Sequence, residues 1–95
     1  MKKIEIGKFY KVEYNTKYGK DSFIGQYIGL DESKYSVDVE CLICGKDGHA
    51  RIHQFNIPYD QNGIVEEMQN DIANGEYETY SIGTSCINKC EITEI

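Results

Sequence analysis

Ninety-five residues, 40% of them hydrophobic and 27% charged, supply enough apolar surface for one folded domain and too little for two. Ten lysines and arginines against sixteen acids leave a net charge of -6, which works against non-specific attachment to a polyanion. The imbalance is local, because residues 52–95 set Lys89 alone against eight acids while residues 1–51 carry nine basic and eight acidic side chains.

Met1 to Lys8 interrupts its isoleucines with charges, so it lacks the apolar run of a secretion signal, and no stretch approaches the roughly 18 apolar residues of a membrane span. The expected location is the cytoplasm, with no membrane partner. The first twenty residues set Lys2, Lys3, Lys8, Lys11, Lys17 and Lys20 against Glu5 and Glu13, interleaved with Phe9, Tyr10, Tyr14 and Tyr18. Such a stretch is either a strand with solvated lysines or a surface that tracks phosphates and stacks bases.

Lys8 to Tyr14 alternates Tyr10, Val12 and Tyr14 with Lys11 and Glu13, the period of a half-buried strand, and Asn15 to Gly19 follows as a polar loop. Ser22 to Leu30 predicts a second strand, in which Gly25 and Gly29 permit bending or close backbone approach. After a turn at Asp31 to Lys34, Tyr35 to Ile43 predicts a third strand. Asp47-Gly48 then marks a hairpin, with His49 to Ile57 returning and Pro58 closing it. Ile64, Met68 and Ile72 recur every four residues and predict one amphipathic helix, capped by Asp60 or Asn62 and stopped at Gly75. Glu76 to Gly83 and Cys90 to Ile95 complete the set as short strands.

The expected architecture is mainly β (α+β): residues 1–57 as about five bent antiparallel strands closing a small barrel, 58–75 as turn and helix, and 76–95 as closing strands. The Gly-Lys-Phe-Tyr-Lys-Val opening and the Phe23-Ile24-Gly25-Gln26-Tyr27-Ile28-Gly29 strand resemble SH3-like small barrels of the Tudor, KOW and Sm-like kind over residues 6–57. The resemblance implies a binding module that takes peptides, modified tails or nucleic acid at an aromatic-lined edge.

Cys41-Leu42-Ile43-Cys44-Gly45 is a C-x-x-C-G, and Cys86 and Cys90 form a C-x3-C pair. Two such pairs have the local spacing of one structural zinc site, provided the chain turns at Ile43 to Gly45 so that Cys41 and Cys44 face the same way. The alternatives are unligated buried thiols, or one or two disulfides. Cys41, Cys44, Gly45, Gly48 and His49 also resemble a CCHC zinc knuckle over residues 41–51, although Gln54 stands where that family's fourth ligand falls. His49 and His53 are therefore alternative ligands.

Cys44 with a histidine and Asp47 could form a thiolate and its base, but an acidic chain does little to lower a thiol pKa. There is no P-loop, G-x-G-x-x-G or HExxH. The expected function is thus non-enzymatic binding of a protein partner, the acidic second half meeting a basic surface. Small acidic proteins of phages and mobile elements, anti-CRISPR proteins among them, inhibit nucleic-acid machinery in this way. The alternative is a zinc-stabilised nucleic-acid binder using Tyr14, Lys17, Tyr18, Lys20, Lys46 and Arg51. Monomer and homodimer both remain open.

Overall fold

Period-two patterning dominates the fold. In a computed structural model that describes residues 3–31, 41–45 and 51–95, the elements run β1 (Phe9–Thr16), β2 (Gly19–Asp31), β3 (Ile52–Pro58), α1 (Val65–Ala73), β4 (Tyr77–Gly83), α2 (Thr84–Ile87) and β5 (Glu91–Glu94). The strands form one antiparallel sheet in the order β4-β3-β2-β1-β5. The alternation places Tyr10, Val12 and Tyr14 of β1 on the same core as Phe23 and Tyr27 of β2, Phe55 and Ile57 of β3 and Ile82 of β4. Cys41, Cys86, Ile87 and Ile92 close that core. Phe55 lies at its centre with no exposed surface, its ring 5.6 Å from Phe23 in an edge contact.

Both β2 glycines have the roles their positions suggest. A side chain on Gly25 would run into Ile57 Cδ1 and stand 3.1 Å from the Asn56 carbonyl oxygen, so β2 and β3 approach there as only glycine allows. Gly29 has φ +123° and sits where the β2–β3 register slips between Tyr27 and Gly29, a bulge that turns the strand.

The sheet is open, which corrects the expected barrel. No ladder joins its outer strands β4 and β5. β5 is only four residues long and pairs with Tyr10 to Glu13 of β1. The outer edge of β4 is met by Leu42, whose N–H donates to the Ser81 carbonyl at 2.9 Å. The predicted third strand is also corrected at its described end, where Leu42 to Cys44 form a turn. The rest of that strand and the Asp47-Gly48 hairpin lie outside the described residues.

The helix α1 lies against β3 and buries Met68 completely, while Ile64 stays more than half exposed at 54%. Its start is held by an Asx turn, the Ile64 N–H donating to Asn62 Oδ1 at 2.8 Å. At its end Gly75 takes φ +79°, with the Gly75 N–H on the Ile72 carbonyl and the Glu76 N–H on that of Asp71, the paired bonds of a Schellman stop.

Candidate metal centre

Cys41 is buried at the start of its turn, and the geometry around its sulfur is that of an anion site. The Gly83 N–H donates to Cys41 Sγ at 3.3 Å, and the Gly45 N–H closes the turn on the Cys41 carbonyl at 2.8 Å. Gly45 adopts φ +69°, so the glycine after the second cysteine lets the chain reverse there. α2 brings the third sulfur. Thr84 anchors that helix, donating to the Arg51 carbonyl from both its N–H (3.2 Å) and its hydroxyl (3.1 Å), and Cys86 then points into the core.

The sulfurs of Cys41, Cys44 and Cys86 all lie within 4.8 Å of one another. A tetrahedral zinc with bonds of about 2.3 Å holds its sulfurs about 3.8 Å apart, so small side-chain rotations suffice to grip an ion. Three cysteines from two segments far apart in sequence can hold a metal here.

The protonation pattern suits that chemistry. Burial alone would raise the Cys41 pKa, but donors from the Gly83, Cys44 and Ile43 backbone and from the Cys44 thiol outweigh it and hold it below the ordinary thiol value. Cys86 is pushed up to about 11 by burial and by its hydrogen bonds to Cys44 and Cys41. The backbone N–H groups thus favour the thiolate form at Cys41, the form in which a sulfur binds a divalent cation, and binding at Cys86 would release its proton.

Cys90 stands outside the trio. Its thiol donates to the Cys86 carbonyl at 3.7 Å, and its pKa is raised by burial and then by the charge of Cys41. His53, on β3, is 5% exposed and does not join the sulfur group. Its Nδ1 shares a hydrogen bond of 2.9 Å with the Tyr27 hydroxyl, and its Nε2 has no partner among the described residues. His49 and Lys46 lie outside the described residues.

The nucleic-acid candidates are scattered. Tyr18 is 88% exposed at the β1–β2 turn, with Lys17 Nζ 5.2 Å from its ring centroid, and Lys20 pairs loosely with Glu91 at 4.0 Å. Arg51 is exposed at the opposite end of the β2–β3 ladder. Tyr14, by contrast, is buried and packs 6.2 Å from Phe23.

Tyr14 does line a cleft that sequence reasoning missed. It has a volume of about 330 Å³, with Phe23, Tyr59 and Tyr80 around it and the carboxylates of Asp21 and Glu78 beside the phenols. Strand alternation signals that Tyr14, Phe23 and Tyr80 each face one side. Their convergence depends on register between non-neighbouring strands, which carries no local signal.

Among the described residues no helix is long and apolar enough to cross a membrane. In comparisons with protein-family models, curated proteins and solved structures, nothing matches this chain.

Proposed function

We propose that this chain is a non-enzymatic binding module acting by protein–protein contact, stapled by one structural zinc on Cys41, Cys44 and Cys86 with Cys90 as fourth ligand. The observation that carries the reading is the cluster of the Cys41, Cys44 and Cys86 sulfurs within 4.8 Å of one another, with the Cys41 sulfur accepting the Gly83 N–H and its turn tied to β4 through Leu42 and Ser81. Four thiolates fill a tetrahedral zinc and leave no position for a substrate, so the metal's work is to hold the 41–45 turn, β4 and α2 together. Function then falls to the surface. There Glu66, Glu67, Glu76, Glu78, Glu91 and Glu94 are all exposed, a charge that complements a basic partner. Proteins that handle nucleic acid present such basic surfaces, and the contact we propose is inhibition of one, of anti-CRISPR or other anti-defence type.

Native mass spectrometry of the purified chain, with and without a chelator, tests the staple. The expected result is one zinc per chain, with loss of the cooperative unfolding transition when the ion is removed. Four free thiols, no ion and an unchanged melting temperature would overturn it. The exposed Tyr18 beside Lys17 favours a second reading as a nucleic-acid binder. Steep salt dependence of binding to labelled single-stranded DNA or RNA would support that reading, and no binding at low salt would remove it.

A further inference from the structure

A carboxylate beside an aromatic ring, without a counter-cation, can hold an organic cation by its charge while the ring takes the alkyl stem or the cation's face. The cleft between the β1–β2 hairpin and the start of β4 has this composition. Phe23 forms its floor, with Tyr80 edge-on at 5.3 Å and 87° and Tyr14 tilted at 6.2 Å and 55°. Asp21 is hydrogen-bonded to the Tyr14 phenol and Glu78 to that of Tyr80, leaving each carboxylate further lone pairs to offer. Among the described residues neither acid is ion-paired, since the lysines that do pair reach Glu5, Glu91 and Glu94 instead. Tyr14 and Tyr80 both have pKa values raised by burial first and then by carboxylates, and Asp21 acts on both, so the two phenols and that acid face one space.

We propose that this cleft receives the cationic end of a lysine or arginine side chain from a basic protein segment, which gives the partner of the protein-contact reading above its chemistry. The rings would lie against the alkyl stem and the face of the cation, and Asp21 and Glu78 would accept its N–H donors. A phosphate backbone would meet two carboxylates here. A calcium ion would need six to eight oxygens, and Asp21 and Glu78 are the only carboxylates among the lining residues. The organic cation is the occupant that uses both halves of the lining.

The test is an aromatic NMR titration of the purified chain with Nα-acetyl-lysine methylamide and with its neutral norleucine isostere, followed by a lysine-rich peptide. Saturable shifts at Tyr14, Phe23 and Tyr80 with the lysine probe alone are expected. The Asp21→Asn, Glu78→Gln double variant, which preserves shape, should weaken the peptide about tenfold or more with its melting temperature held. Equal shifts with norleucine, or shifts confined to rings outside the cleft such as Tyr18, would overturn the cleft. A peptide that binds the double variant as well as the parent would overturn the cleft and leave the protein-contact reading standing. A peptide that fails to bind the parent at low salt would overturn both.

Discussion

Gln61 lends its side-chain amide to Ile24 in the place of a neighbouring strand. The Ile24 N–H donates to Gln61 Oε1 at 2.6 Å, and Gln61 Nε2 donates to the Ile24 carbonyl at 3.0 Å and to the Pro58 carbonyl at 2.7 Å. The β2–β3 ladder starts at Gln26 and Asn56, so the peptide groups of Ile24 on that side have no strand partner. A loop residue completes the ladder and fixes where the chain leaves β3.

The two substitutions that separate this role from simple surface polarity are Gln61→Ala and Gln61→Glu. Alanine removes three hydrogen bonds at a partly wet site, and a loss of about 1–2 kcal/mol is expected. Glutamate keeps an acceptor for the Ile24 N–H but turns a carboxylate oxygen toward two carbonyls, so it should cost more than alanine despite its closer shape. Urea unfolding of the three proteins checks the order. Parent-like stability for both variants would mean that water satisfies Ile24 equally well.

The trio of sulfurs makes a prediction about Cys90. If it is the fourth ligand, cobalt loaded into the site shows a thiolate-to-metal band that weakens in Cys90→Ser while the tetrahedral spectrum remains. In Cys41→Ser the ion should be lost, because that sulfur carries the backbone donors from Gly83, Ile43 and Cys44 that favour its anionic form. A band unchanged in Cys90→Ser would assign the fourth position to water or to a histidine.

How far the sequence reaches is clearest at β2. Gly25 and Gly29 stand out as glycines inside a strand pattern, and both are needed there, one for close approach and one for a bulge. The helix was equally legible, since Ile64, Met68 and Ile72 mark its period and Gly75 its end. What the local pattern lacks is long-range register. Cys41 and Ile43 satisfy a strand's alternation, yet Leu42 to Cys44 turn, because Leu42 bonds to Ser81 and the sulfur of Cys41 collects N–H donors. α2 is four residues long, too short for any period to show. That the sheet stays open, and that Asp21, Glu78 and Tyr80 converge, likewise depend on pairings that no short window contains.

The same glycine supplies a sharp stability test. Gly25→Ala should destabilise by about 1–3 kcal/mol, because the added methyl meets Ile57 Cδ1 and faces the Asn56 backbone oxygen at 3.1 Å, an atom that cannot rotate away. Pairing it with Ile57→Val removes the movable part of the clash. Partial recovery in thermal unfolding is expected, with the backbone contact accounting for the remainder. Full recovery would place the whole constraint in the Ile57 side chain.

His53 sets a pH dependence of defined sign. The ring is buried between Tyr27 and the β4 strand, with Tyr27, Leu30 and Ile82 as its register and ring neighbours and no charged group among them. Burial holds its pKa below the ordinary 6.5, because an imidazolium there would exchange water for a phenol and apolar side chains. The unfolded chain therefore takes up a proton near 6.5 while the folded chain stays neutral. Between 6.5 and the folded value, stability falls as pH falls, and below the folded value the loss is complete. Ring resonances of His53 should titrate with a midpoint below 6.5, and His53→Gln, which can still bond the Tyr27 hydroxyl, should flatten the melting temperature across that window relative to the parent. A midpoint at or above 6.5 would mean that the orphaned Nε2 has found an anionic partner, which would locate that partner beside β3.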